Sequence, residues 1–389
     1  MKYKIAIVDT HPIQYRAPLF RQLAQRETVD LTVCYGALYG EEEYYDNDFG
    51  VYVAWGIPLL GGYRCKHFRN ISPWASSRKP WLLFNPGILP YLIMNKFDAV
   101  ILYGYASINS WFLAVILPFI GMPTIFIGET TLSDSSMSWF PRIIKKIFFS
   151  RIKACLYIGK KSLEYYNYLK VKKETLFFAP YTINNEYFIA SVSEHRKLKH
   201  DILHTIDIRE NLPIILTVSK ISLRKRIMDI LYAFEHITHE AALIIVGDGR
   251  ERGRIQRHVD NRKLKNVYLA GFVNQKELPR YYAIADIFVL SSSYESWGLV
   301  INEAMCAQLP LIVTQGVAAS YDLVQDGKNG YIYRAGDINR LTQLLDDLLS
   351  DERKRKLMGT MSGDIISGWN YDQSIEGILN AVHHVQKTA

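Results

Sequence analysis

The sequence predicts an α/β protein of two doubly wound, Rossmann-like domains. At 389 residues the chain is longer than one hydrophobic core usually serves, so two domains are expected. Short β-branched apolar runs alternate with helical patterns throughout, which is how parallel strands covered on both faces read. The alternation is interrupted once, by the polar stretch 191–209, and then begins again.

Taken in order, strands are expected at 4–9, 30–35, 99–103, 124–127 and 154–158 in the first half. In the second half they are expected at 214–218, 242–246, 267–269, 287–290 and 311–313. Helical patterns fill the gaps, among them 16–26, 142–153, 227–237 and 302–307, followed by 337–350 and 351–367. The expected division is 1–185, 186–368 and a C-terminal segment 369–389, a helix packing back on the N-terminal domain. Two facing sheets of this kind would make a cleft beyond the carboxyl ends of their strands, where ligands of open α/β sheets bind.

Composition sets the class. Apolar residues make up 49% and charged residues 22%, as in a globular protein. The 26 tyrosines serve either a tyrosine-rich core or an aromatic binding surface. The net charge of +8 lies entirely in residues 1–185, while 186–389 balance to zero. Such asymmetry points to an anionic partner for the first half, a membrane surface or an acidic acceptor. No nucleic-acid-binding module appears, so no nucleic acid is expected. Cys34, Cys65, Cys155 and Cys306 are scattered and form neither a metal cluster nor a disulfide framework.

The run Ile5-Ala6-Ile7-Val8 is too short for a signal-peptide core. The longest apolar stretch, 111–127, is broken by Pro118, Gly121 and Pro123, whereas a transmembrane helix wants about twenty uninterrupted residues. The expectation is cytoplasmic.

The segment 285–310 is the most informative. A strand ends at Leu290, a serine-rich turn follows, and a helix begins near Gly298. Glu295 lies in the loop and Glu303 in the helix. A helix start offers free N–H groups suited to phosphate, and flanking carboxylates accept hydrogen bonds from sugar hydroxyls. Alternatively, Glu295 merely precedes a helix and Glu303 lies on a solvated face. Val218-Ser219-Lys220-Ile221-Ser222-Leu223-Arg224-Lys225-Arg226 also leaves a strand and opens a helix. Lys220 and Lys225 are placed to neutralise a diphosphate leaving group without a metal, unless the loop is simply solvated. Gly247, Gly249 and Gly253 resemble a dinucleotide fingerprint, but the acidic residue expected about twenty positions on is missing.

Lys220 and Lys225, Val246-Gly247-Asp248-Gly249, Gly271-Phe272-Val273, and Glu295 with Glu303 in an E-x7-E spacing occur in that order. Asp326-Gly327-Lys328-Asn329-Gly330 and Gly336-Asp337 continue the series. As an ordered set they resemble glycosyltransferase family 4, retaining enzymes of the two-domain GT-B fold, and the resemblance covers residues 212–360. It implies that Glu295 binds donor-sugar hydroxyls and that the backbone of Gly298, Leu299 and Val300 meets sugar and phosphates. It also implies Glu303 for the ribose, Lys220 and Lys225 for the diphosphate, Gly271, Phe272 and Val273 for the base, and Gly247 on the donor side. The donor would be a nucleotide-diphosphate sugar, with no cofactor and no metal required. The family pattern usually has Arg at position 220; Lys keeps the charge and loses the bidentate fork.

In the first half, His11-Pro12-Ile13-Gln14-Tyr15-Arg16 resembles the start of a bacterial subset of the family, without the glycines common elsewhere in it. His11, Gln14, Tyr15, Tyr105 and Glu129 are the candidate acceptor or cleft residues. The segment 140–153, FPRIIKKIFFSRIK, is a basic amphipathic helix with interleaved aromatics. It either packs against the domain or docks on an anionic bilayer, which would make the protein peripheral at the inner membrane face.

The resulting expectation is transfer of a sugar to a saccharide or lipid-linked acceptor in surface polysaccharide or glycolipid assembly. A nucleotide-sugar epimerase of the same fold and a catalytically silent nucleotide-sugar-binding protein are the alternatives.

Overall fold

The computed structural model describes residues 2–46, 49–76, 79–104, 107–134 and 142–388. The chain forms two compact units. One contains residues Met1–Tyr44, Ile57–Thr182 and Tyr371–Ala389; the other contains Tyr45–Gly56 and Ile183–Asn370.

The first half runs β1 (Tyr3–Asp9), α1 (Ala17–Ala24), β2 (Val29–Tyr35), the short β3 (Tyr44–Asp46) and β4 (Val51–Val53), and β5 (Arg64–His67). It continues with α2 (Ile88–Asn95), β6 (Ala99–Tyr103), α3 (Ile108–Ile116), β7 (Thr124–Ile127) and α4 (Arg142–Ser150). It ends with β8 (Ala154–Tyr157), α5 (Lys160–Tyr168) and β9 (Leu176–Phe178). The seven strands of the first sheet are ordered β5-β2-β1-β6-β7-β8-β9, with each neighbouring pair parallel. Ile5, Ala6 and Ile7 are wholly buried because helices cover both faces of the sheet.

The second unit continues with α6 (Asn185–Arg196), α7 (Lys199–Thr205), β10 (Ile214–Val218), α8 (Ile227–Phe234), β11 (Ala242–Val246), α9 (Arg252–Arg262) and β12 (Val267–Gly271). Next come α10 (Pro279–Ile284), β13 (Ile287–Leu290), α11 (Val300–Cys306), β14 (Leu311–Thr314), α12 (Ser320–Leu323) and β15 (Gly330–Tyr333). The helices α13 (Ile338–Leu349) and α14 (Glu352–Ser367) complete it. Its six strands are ordered β12-β11-β10-β13-β14-β15, again parallel. Both sheets are therefore doubly wound, as expected, with the order reversing at β1/β6 and at β10/β13.

All ten expected strands are present, with ends shifted by at most two residues. The pattern missed five strands: β5, β9 and β15, all at edges of the two large sheets, and the two strands of the separate ribbon β3–β4. An edge strand need not be apolar on both faces, and Arg-Cys-Lys-His at β5 has no apolar signature at all.

The core accounts for part of the tyrosine excess. Tyr35, Tyr166, Tyr281 and Tyr282 are fully buried. In α4 the aromatics also turn inward: Phe148 and Phe149 pack edge-on against Phe126 at 5.5 and 5.1 Å. Residues 140 and 141 of the basic segment lie outside the described residues. Among the described residues, no helix is long and apolar enough to cross a membrane. Cys34, Cys155 and Cys306 are buried; burial pushes the Cys34 thiol up to about 12.

The final helix, α15 (Tyr371–Lys387), belongs to the first unit and packs along β8 and β9. Ser374 donates to the Pro180 carbonyl, and Tyr3 Oη lies 2.9 Å from His383 Nδ1. Contact is closest at Gly377, where a Cβ would stand 1.9 Å from the Phe178 carbonyl oxygen. Gly377→Ala must push α15 off the sheet and is expected to cost about 1–3 kcal/mol, the usual range for overpacking. Urea unfolding of the variant measures it.

Candidate functional site

In the second unit, the loops that leave β10 and β13 emerge side by side at the reversal of strand order, where open α/β sheets bind their ligands. Lys220 and Lys225 lie on the first loop and Glu295 on the second. The loops are tied together by backbone and serine contacts. Ser291 Oγ donates to the Lys225 and Arg226 carbonyls at 2.8 and 3.0 Å. Ser293 N donates to the Arg224 carbonyl at 2.8 Å.

At this junction Lys225 Nζ pairs directly with Glu295 Oε1, their side chains only 13% and 10% exposed. Ser292 Oγ donates to the same oxygen at 2.8 Å. Oε1 is thus held by two donors, and the other carboxylate oxygen remains available as an acceptor. The Glu295 backbone is fixed as well. Its N–H donates to the Gly316 carbonyl and its carbonyl accepts from Ala318 N, through a short bridge to Val317. Gly298 follows with φ +104°, a conformation that favours glycine, and a Cβ there would stand 3.0 Å from Val317.

Lys220 reaches a different partner, with Nζ 3.4 Å from Asp46 Oδ1. Gly247 holds the Lys220 loop from behind. At φ +133° it brings its backbone so close to Ser219 that a Cβ would stand 1.9 Å from the Ser219 carbonyl oxygen. Its N–H donates to the Gly271 carbonyl at 2.8 Å. The Phe272 ring meets Phe49 at 5.3 Å and Trp55 at 6.1 Å.

Glu303 sits in the first turn of the short helix α11, about half a turn nearer its start than the pattern placed it. It is wholly buried, which overturns the solvated-face alternative. Tyr282 Oη donates to one of its oxygens at 2.7 Å, and Gln275 Nε2 donates to the other at 3.2 Å. Leu299 and Val300 lead into the helix. Trp297, buried, donates to Asn302 at 3.0 Å and stacks on Trp369 at 5.6 Å.

The first unit has its own cavity, of about 180 Å³, at the carboxyl ends of β1, β6, β7, β8 and β9. Tyr15 and Glu129 line it together with Arg16, Tyr103 and Tyr181. Arg16 forks onto both oxygens of Asp9 at 2.9 Å, reaches Glu129 Oε1 at 2.9 Å and stacks on the Tyr103 ring at 4.4 Å. Burial opposes the guanidinium charge, but Asp9, Tyr181 and Glu129 more than offset it and hold its pKa well above the usual range. Burial next to Glu129 likewise pushes the Tyr181 phenol well up. Arg16, Tyr103 and Tyr181 lie in segments that the sequence marked but were not among its candidate site residues. The available signal was charge at strand ends, with Asp9 closing β1 and Arg16 one loop later.

His11 and Gln14 lie on the same loop, half-buried and outside the lining. His11 Nδ1 is 3.0 Å from Thr10 Oγ1, and burial holds its pKa below the ordinary imidazole value. Tyr105 lies outside the described residues.

Residues 200–362 match the family model described as glycosyl transferases group 1. That span contains every candidate of the second unit. Over 166 residues the chain is 31% identical to alpha-monoglucosyldiacylglycerol synthase of Acholeplasma laidlawii, covering 40% of this chain and 39% of the relative. The chain thus spans about two fifths of that relative's length. Among solved structures it is similar to sucrose-phosphate synthase from Thermosynechococcus elongatus, with TM-score 0.75, 17% identity and full coverage of both chains. It is also similar to Anabaena HepE in complex with UDP, with TM-score 0.74 and 15% identity over 98% of this chain and all of that one. The fold is GT-B. Two parallel doubly wound sheets are what the alternation of strands and helices predicted, and GT-B is the fold that the resemblance implied.

Removing one partner of a buried ion pair leaves an uncompensated charge. Lys225→Ala is therefore expected to destabilise the protein by about 3 kcal/mol. The double variant Lys225→Ala with Glu295→Gln should recover most of that loss. A double-mutant cycle by chemical denaturation reads the coupling.

Proposed function

We propose that this chain is a retaining glycosyltransferase of family 4 that moves a sugar from a nucleotide-diphosphate sugar to an acceptor hydroxyl. The observation that carries the reading is Glu295: a buried carboxylate at the strand-order reversal, with one oxygen held by Lys225 and Ser292 and the other free to accept from a sugar hydroxyl. HepE, which shares the fold, has been solved with UDP. In the reaction, the bond from the anomeric carbon to the β-phosphate oxygen breaks. The acceptor oxygen bonds to that carbon on the same face, and its proton leaves with the diphosphate. Lys220 and Lys225 offset the developing phosphate charge, and the backbone of Gly298, Leu299 and Val300 lies against the sugar and phosphates. Phe272 with its flanking residues Gly271 and Val273 meets the base, and Glu303 the ribose once Gln275 gives way. No residue is assigned as a nucleophile, so catalysis rests on positioning and leaving-group stabilisation.

The acceptor side is assigned to the cavity of the first unit. Tyr15, Tyr103 and Tyr181 offer faces for a sugar ring or a lipid-linked saccharide, and Glu129 offers a hydroxyl acceptor. Arg16, the cation of the cavity's lining, is already paired with Asp9 and Glu129, which favours a neutral, hydroxyl-rich acceptor over an acidic one. Glycolipid or surface-polysaccharide assembly at the inner membrane face is the setting we favour, since the A. laidlawii relative is named for a glycolipid.

A second cavity of about 620 Å³ supports that setting. It is lined by Lys146, Arg151, Lys153, Lys170 and Lys172, none of them ion-paired among the described residues. Ile143, Ile147 and Phe119, on elements around it, are 67%, 55% and 71% exposed. Cations beside exposed apolar groups suit an anionic bilayer, at about 1 kcal/mol per basic side chain near the surface.

Two measurements test the proposal. Thermal-shift and turnover screens of nucleotide sugars should find a donor that stabilises the wild type. Glu295→Gln should lower its turnover roughly 10–100-fold, the loss expected of a charged hydrogen bond, with nucleoside diphosphate affinity nearly kept. If no nucleotide sugar stabilises the wild type, the assignment is wrong. For the membrane setting, the full chain should co-sediment with vesicles containing phosphatidylglycerol and not with neutral ones. Lys146→Glu with Lys153→Glu should abolish this; equal partition into both vesicle types rules the basic cavity out.

A further inference from the structure

Residues 45, 46 and 49–56 pack with the second unit, although the stretches before and after them belong to the first. They hold most of the ribbon β3–β4, whose outer tyrosines, Tyr45 and Tyr52, are 47% and 64% exposed. Their inner contacts fall on a narrow set of residues. Asp46 lies 3.4 Å from the Lys220 ammonium, which also stands 4.2 Å from the centre of the Phe49 ring. Phe49 and Trp55 both meet the Phe272 ring edge-on. The Trp55 carbonyl accepts from Gln275 N at 3.2 Å, and the Gln275 side chain covers Glu303.

On the donor reading above, Lys220, Phe272 and Glu303 are the contacts for diphosphate, base and ribose. The ribbon touches the first two and, through Gln275, shields the third. We propose that the ribbon is a strap that stands in for the donor: Asp46 takes the diphosphate's place on Lys220, Phe49 takes the base's place on Phe272, and the nucleotide enters by displacing both. Asp46 and Phe49 thereby become affinity-setting residues of the donor site that no motif marks. The chemistry favours exchange. A partly exposed ion pair such as this one is worth up to about 1 kcal/mol, and a diphosphate brings more negative charge to the same ammonium than one carboxylate does. Ring contacts between Phe49 and Phe272 can be replaced by stacking of a nucleobase on the same ring.

Calorimetric titration of the full chain with UDP, GDP and ADP tests this. Asp46→Asn should tighten whichever diphosphate binds by about 2–5-fold, the size of a partly exposed ion pair. In a Lys220→Ala background, Asp46→Asn should change nothing, because the competed charge is gone. A second readout does not depend on those variants. Addition of nucleotide should shift the emission of Trp55, taken as the difference between wild type and Trp55→Phe, as its contact with Phe272 is lost. Wild-type binding with unchanged or weaker affinity in Asp46→Asn overturns the strap and leaves the donor site standing. Binding of none of the three diphosphates by the wild type overturns the donor reading and the strap with it.

Discussion

The proposed donor half-site depends on the ion pair between Lys225 and Glu295, which joins two loops that share no sequence neighbourhood. A buried carboxylate without a partner is too costly to keep, and a buried ammonium is equally so. Each therefore fixes the other, and with them the serine turn after β13 and the loop after β10. The serines add the hydrogen bonds that a single ion pair cannot supply, so that the Lys225 and Arg226 carbonyls are satisfied at the same junction. Gly247 completes the arrangement from the other side, where only a residue without a side chain lets the loop after β11 lie against Ser219. The result is a site in which one carboxylate oxygen is committed to structure while its twin is left available as an acceptor.

The first unit solves a similar problem with opposite charge balance. Asp9 and Glu129 converge on Arg16 at the carboxyl ends of β1 and β7, and the guanidinium is sandwiched further by Tyr103. The loop after β1 has no glycine with which to approach a ligand by its backbone, so its contribution comes from side chains. Tyr15 and Arg16 reach the cavity, while His11 turns to Thr10 and Tyr39.

How much of this was legible in the sequence follows from physical range. Buried parallel strands such as Ile214–Val218 and Ala242–Val246 declare themselves, because both faces must be apolar, and they were placed to the residue. Edge strands such as Arg64–His67 have no such obligation and left no trace. Glu295, Glu303, Lys220 and Lys225 were visible through their spacing from strand ends, yet spacing does not reveal partners. That Glu303 is buried under Tyr282 and Gln275 is a tertiary fact, as is the meeting of Lys220 with Asp46 from 174 positions away. Interleaved aromatics in the basic helix left packing and bilayer docking both open; Phe148 and Phe149 are core, and the exposed apolar residues Ile143 and Ile147 are aliphatic.

The placement of α15 has a consequence for biosynthesis. The helix that covers β8 and β9 leaves the ribosome only after the whole of residues 183–370, while the strands it covers precede that stretch. At ordinary translation rates the intervening residues 183–370 take on the order of ten to forty seconds to synthesise. For that interval the nascent first sheet must keep an apolar face unburied, with Phe178 and its neighbours waiting for Gly377 and Ile378. The second unit, apart from its early ribbon, is contiguous and can close as soon as it emerges. The order of completion is therefore inverted with respect to the order of synthesis: the second unit can close before the first is whole.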